Sequence, residues 1–208
     1  MGRKKDKARK AAEKEHRVTR KLSIDDGGFV AALLSPVAKA TDEPPLLALA
    51  VGTLALGAVL RKPAMTRTGT RMLASHLLAT GLKTALKASV DRTRPDAGGA
   101  GPHLAKGSGT ADTDRNAFPS GHTAGAVAVA QSVAHDVPAV AVPVKLAAGA
   151  AGAAQVPRGA HHATDVAAGA AIGWLSERLA SWAIGTVDRY VEKRAQRDAE
   201  AEVEAHPS

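Results

Sequence analysis

From residue 27 onward the chain alternates between long apolar runs and short polar breaks. The runs cover roughly 27–40, 46–60, 73–90, 122–136, 138–156 and 165–187. Alanine and leucine dominate them, and strand-like alternation of apolar and polar positions is rare, so the pattern predicts about six helices. Pro44-Pro45, Pro63, Pro95, Pro119, Pro138 and Pro157 punctuate the runs, as expected of residues that break helices. Residues 96–118 read as one long loop rich in Gly, Asp and Thr. A loop of that length in a compact helical domain is usually functional or disordered. The expectation is an all-α helical bundle. Residues 1–26 read as a basic, disordered arm, 27–187 as the helical domain, and 188–208 as a charged tail whose helix frays.

Charge changes this picture in two ways. The chain carries a net charge of +8 over 208 residues, and ten of its 28 Lys and Arg fall between positions 3 and 21. Such an arm is either solvated or in contact with an anionic surface. No apolar stretch follows it directly, because Ser23, Asp25 and Asp26 intervene, so it is not a signal peptide. The run 46–60 is uninterruptedly apolar, although shorter than the ~20 residues that cross a bilayer upright. With the arm on the cytoplasmic side and a crossing at each run, Arg61, Lys62, Arg67, Arg71 and the basic start of the tail share the arm's side. Asp42, Glu43 and the long loop lie opposite. That is the positive-inside pattern, and it predicts a multi-pass protein of the cell membrane. Lys145 and the Glu177-Arg178 pair stand against it, since charges within a span are costly unless they face the bundle interior or snorkel. The mean hydropathy of −0.11 is also low for such a protein; a soluble Ala-rich bundle is the alternative. Cysteine is absent and aromatic residues make up 2% of the chain, which excludes disulfides, thiolate metal sites and an RNA-stacking surface.

Three short segments at helix ends carry candidate chemistry. In the first, Lys87 and Arg94 are about two helical turns apart and share a face, with Pro95 turning the chain after them. Two converging cations suit a phosphate, and arginine adds bidentate geometry; a basic helix end is also favourable dipole chemistry. In the second, Pro119-Ser120-Gly121-His122, Ser120 is a plausible N-cap and Gly121 permits close backbone approach. The free N–H groups of that helix start suit an anion, and His122 can exchange a proton near neutral pH. In the third, Arg158-Gly-Ala-His161-His162-Ala-Thr-Asp165, His161 and Asp165 are four residues apart. If a helix begins by residue 161, Asp165 can hold the imidazole tautomer and leave the other nitrogen free to attack. Adjacent histidines face different ways on a helix and no third ligand has suitable spacing, so no metal is expected.

The order of these segments resembles the type 2 phosphatidic acid phosphatase and vanadium haloperoxidase superfamily, whose pattern is K-x6-R-P, P-S-G-H and S-R-x5-H-x3-D. Lys87, Arg94 and Pro95 match the first motif and Pro119 to His122 the second. His161 and Asp165 match the end of the third, but Ala154 and Gln155 stand where the family has Ser and Arg. Arg158, about one turn further on, is a candidate replacement for the missing charge. The resemblance covers roughly residues 27–187. It implies a helical bundle with the motifs at one end and, in the membrane branch, six spans with an extracytoplasmic site.

The resemblance further implies a metal-independent phosphatase without cofactor, acting on a lipid-like phosphomonoester or pyrophosphate. His161 would be the nucleophile and Asp165 its orienting partner. His122 would be the acid and base, and Lys87, Arg94, Ser120, Gly121 and Arg158 would bind the phosphoryl group. Three rival readings come from other classes. A vanadate-dependent haloperoxidase would use a similar anion cradle. A phosphate-binding but catalytically impaired membrane protein would follow from Gln155. A nucleic-acid binder is suggested only by the isoelectric point near 10.0, and no nucleic-acid partner is expected. The sequence is silent on oligomeric state.

Overall fold

The computed structural model describes residues 2–23, 29–97, 104–109 and 112–205. The middle of the loop expected at 96–118 lies partly outside them. Seven α-helices occur among the described residues: α1 (Gly2–Leu22), α2 (Phe29–Ala40), α3 (Glu43–Val59), α4 (Pro63–Ser89), α5 (Gly121–Asp136), α6 (Ala141–Ala153) and α7 (Ala163–Ala205). Two short strands, β1 (Val90–Arg92) and β2 (Leu104–Lys106), pair antiparallel after α4.

The helix starts follow local chemistry. Proline occupies the first turn of α3 and α4, where its missing N–H has no intrahelical partner to lose. The Ser120 hydroxyl caps α5 by accepting from the Thr123 N–H, the expected role of serine at that position.

Helix α5 is the central element and packs against α3, α4, α6 and α7. Its buried face is small: Ala124 and Ala128 meet Ala79 and Ile172, while Ala126 and Ala130 meet Ala148. Leu46, Ala50, Met72 and Val129 form a third cluster. Small side chains let the helices approach closely. A Cβ on Gly173 would lie 2.4 Å from the Ala124 carbonyl oxygen, and one on Gly169 would lie 2.4 Å from the Ser120 carbonyl oxygen. Alanine and glycine therefore bring α7 against the start of α5, where the Ser120 motif lies.

Several expectations change. Residues 2–22, expected to be a disordered arm, form α1. The basic loop expected at 61–72 is largely the first turns of α4. Within it, Arg71 is buried on Asp136 at 3.1 Å and Arg67 pairs with Asp188. The charged tail from residue 188, expected as a fraying helix, is helical and continues α7 to Ala205. Buried His16 of α1 touches His162 at the end of the bundle where α4 ends and α5 and α7 begin. The arm and the motifs therefore share one end, so the charge pattern no longer separates the arm from the motifs. Among the described residues no helix is long and apolar enough to cross a membrane. Helix α3, at 17 residues, is about 25 Å long. Of the charges that opposed the membrane reading, Glu177 is buried and accepts from Ser181 at 2.5 Å, Arg178 lies over Trp174, and Lys145 is exposed.

Candidate active site

The three motifs meet at one end of the bundle. The α4–β1 segment supplies Lys87 and Arg94. Lys87 Nζ donates to the Asn116 carbonyl at 2.8 Å, which ties the end of α4 to the segment leading into α5. The Arg94 backbone N–H donates to the Asp114 carbonyl, while its side-chain Nε is buried with no hydrogen-bond partner in the protein. A buried unpaired guanidinium nitrogen is costly, and an anionic ligand would relieve that cost.

Ser120 is fully buried. Its hydroxyl accepts from Thr123 Oγ1 at 2.9 Å and, at 3.4 Å, from the Thr123 N–H. The proton on the Ser120 hydroxyl remains available to an acceptor. Its backbone N–H donates to the Asp165 carbonyl at 3.0 Å, fixing the start of α5 to the start of α7. Over Gly121 lies the Lys83 side chain, whose Nζ is 3.3 Å from the position a Cβ would take. A larger residue there would displace it.

The turn before α7 bends at Gly159, where φ is +69° and a Cβ would come within 2.9 Å of the Asp96 Cβ. Only glycine adopts that conformation readily. The Asp96 N–H donates to the Gly159 carbonyl at 3.1 Å, and this contact draws the third motif onto the first.

His161 is 2% exposed and its Nδ1 lies 2.7 Å from the Ala117 carbonyl oxygen. A carbonyl only accepts, so Nδ1 carries the proton and Nε2 keeps its lone pair. The His122 ring stands edge-on to it, with centroids 6.3 Å apart. Burial, helped by the charges of Arg94 and Lys87, outweighs the opposing pull of Asp165 and the Ala117 hydrogen bond and lowers the His161 pKa to about 3. Burial thus favours the neutral ring, with the Nε2 lone pair unprotonated.

The position of Asp165 differs from the expected one. The anticipated pairing with His161 required a helix beginning by residue 161, whereas α7 begins at Ala163. Asp165 instead reaches back to His162, accepting from its backbone N–H at 2.8 Å and facing its Nδ1 at 3.0 Å. This is the geometry of a capping box, in which a side chain in the first turn satisfies the N–H of the residue before the helix. The Ala117 carbonyl, not Asp165, sets the tautomer of His161. Asp165 remains close enough to act on His161 through space.

Gln155 is fully buried; its amide donates to the Ala151 carbonyl at 3.3 Å and its Oε1 accepts from Arg158 Nη1 at 3.3 Å. Arg158 therefore contacts the side chain that stands at the expected arginine's position, and its charge, with that of Arg94, acts on His122.

Sequence reasoning missed four participants. Arg92 is buried and donates to Asp165 at 2.5 Å, Thr164 at 2.6 Å and Glu15 at 2.7 Å. Glu15 also accepts from the Thr164 N–H at 3.0 Å, capping α7 from far away in the chain. His16 Nδ1 lies 3.2 Å from His162 Nε2. Asp42 lies 2.6 Å from His122 Nε2. Arg92 stood inside the first motif segment, but only pairing in β1 turns it inward. Glu15, His16 and Asp42 carry no local signal.

The PAP2 superfamily model matches residues 68–189, the stretch that contains all three motifs. The chain belongs to the PAP2 superfamily. Two solved structures share the PAP2 fold seen here. One is LpxE of Aquifex aeolicus, with a TM-score of 0.59 and 20% identity over 79% of this chain and 92% of that one. The other is a transmembrane PAP2 type phosphatidylglycerolphosphate phosphatase of Bacillus subtilis, with a TM-score of 0.62 and 20% identity over 86% and 87%. Comparison with curated protein sequences gives no match.

Proposed function

We propose that this PAP2 protein is a membrane-embedded phosphatase that releases phosphate from a lipid-like monoester or pyrophosphate through a phosphohistidine. One observation carries the reading: His161 Nδ1 is fixed on the Ala117 carbonyl, which leaves the Nε2 lone pair unprotonated at the end of the bundle that holds Lys87, Arg94 and His122. In the first step Nε2 attacks phosphorus. The bond from phosphorus to the leaving oxygen breaks, and His122 protonates that oxygen. In the second step water attacks the phosphohistidine, His122 takes its proton, and inorganic phosphate leaves with Nε2 restored. Lys87, Arg94, Arg158, the Ser120 hydroxyl and the Gly121 N–H hold the phosphoryl oxygens. Positioned cations supply the charge stabilisation that dominates phosphoryl transfer. Asp165 acts through its field and through His162.

The apolar outer surface supports a lipid setting. Leu49, Val59, Leu77, Val142, Leu146 and Trp182 are all exposed on the bundle, and large exposed side chains of this kind suit contact with lipid.

The test is phosphate release by detergent-purified protein from a panel of lipid phosphates, with EDTA present, together with acid-quench trapping of phosphate on His161. Turnover by the wild type and its loss in His161→Asn are expected. Wild-type rates in His161→Asn would overturn the nucleophile, with His162 the next candidate. A protein that binds phosphate or vanadate yet turns nothing over, and becomes active as Gln155→Arg, would be the impaired relative instead.

A further inference from the structure

A cavity of about 320 Å³ opens beside His122 and Gly121, between the start of α3, the middle of α4 and the start of α5. Its polar walls include Asp42, Glu43, His76, Thr80, Lys83 and His122. The charges in this wall are already paired. Asp42 lies on His122 Nε2 at 2.6 Å, and Glu43 forms an ion pair with Lys83. A net anion entering the cavity would meet two carboxylates. A net cation would have to displace Lys83 from Glu43.

His76 is different. It is 2% exposed, and neither ring nitrogen has a hydrogen-bond partner in the protein. Gly125 makes room for it: a Cβ there would sit 3.3 Å from the His76 Cε1. An apolar residue would fill this wall without leaving two unpaired polar atoms, each of which costs free energy. A neutral imidazole offers one donor and one acceptor. The simplest group that satisfies both is a pair of hydroxyls, since each hydroxyl can give or take a hydrogen bond.

We propose that this cavity receives the alcohol portion of the substrate, and that this portion carries free hydroxyls, as in a glycerol or sugar, read by the buried ring of His76. The inference rests on the phosphatase reading in one respect. His122 protonates the leaving oxygen there, so the leaving alcohol lies on the His122 side of the phosphoryl cradle, where the cavity is. Thr80 and the carboxylates of Asp42 and Glu43 supply further hydrogen-bonding groups, and among the described residues His76 alone has both ring nitrogens buried without a partner.

The experiment compares decylglycerol phosphate with decyl phosphate as substrates of the full chain in detergent, and decylglycerol with decanol as calorimetric ligands. It uses wild type, His76→Phe and His76→Gln. In wild type the glycerol compound is expected to be favoured by about tenfold in kcat/KM and in affinity, the value of roughly one net hydrogen bond. In His76→Phe both preferences should fall to near one. His76→Gln, which keeps a donor and an acceptor, should retain part of each and serves if the phenylalanine variant fails to fold. Turnover with equal preference in wild type and both variants overturns the cavity assignment and leaves the phosphatase reading intact. Absence of turnover with His76-dependent binding of decylglycerol overturns the phosphatase reading and leaves hydroxyl recognition standing. Absence of both overturns both.

Discussion

Removal of the Arg158 charge tests whether this chain has relocated an arginine within its phosphate cradle. Gln155 is sealed from solvent and its Oε1 accepts from Arg158 Nη1 at 3.3 Å. The guanidinium thus lies beside the place where the family's third motif carries its own. Two unit charges ~4 Å apart interact by about 4 kcal/mol at an effective dielectric constant near 20. Arg158 is partly exposed, so solvent reduces this to about 3 kcal/mol. That corresponds to roughly a hundredfold in rate, within the range measured when a single preorganised donor is removed.

Arg158→Gln is therefore expected to lower kcat/KM for a lipid phosphate about a hundredfold, measured as phosphate release in detergent. The double variant Gln155→Arg with Arg158→Gln keeps one guanidinium and one amide in contact with their positions exchanged. It should recover most of the loss. Gln155→Arg alone places a second cation in a fully buried position beside the first. Its melting temperature should fall without anion and rise more than that of wild type when vanadate is added. Wild-type kcat/KM in Arg158→Gln would refute the relocation.

Three further outcomes follow from the site. His161→Asn should abolish turnover yet retain vanadate binding, read by competition or thermal shift, because Lys87 and Arg94 are untouched. Its pH dependence of stability should also be shallower. With the His161 pKa lowered from 6.5 to about 3 in the folded state, only the unfolded chain takes up this proton between those values. Stability therefore falls as pH drops through that window, by about 2 kcal/mol between pH 7 and pH 5; denaturant midpoints at the two pH values would show no such difference from His161→Asn if the ring were solvated. Arg92→Met should destabilise the fold by about 3–5 kcal/mol, because it leaves the buried Asp165 carboxylate without its 2.5 Å partner. An unchanged urea midpoint would show that Asp165 is not held by that pair.

The sequence by itself determined the class of the fold and the list of chemical groups. Runs of alanine and leucine between prolines have few alternatives to helix, and the run at 122–136 corresponds closely to α5. The motifs mark helix ends because serine, glycine and proline have local conformational effects that hold in any fold. Periodicity could not reveal where helices continue through polar sequence. Residues 63–72 join α4 because Arg71 and Arg67 find carboxylates on α5 and α7, partners 65 and 121 positions away.

Tertiary structure alone decided what each candidate touches. A two-residue difference in where α7 begins, about half a turn, moves Asp165 from His161 to His162, and the Ala117 carbonyl takes over the tautomer. The arm becomes a helix at the motif end because Glu15 and His16 meet Arg92, Thr164 and His162 there. His76 reads in the sequence as one more polar residue on a helix; only packing beside Gly125 leaves its nitrogens buried and unpaired at a cavity wall. Local propensity acts over a few residues, whereas burial, pairing and long-range hydrogen bonds depend on which segments the folded chain brings together.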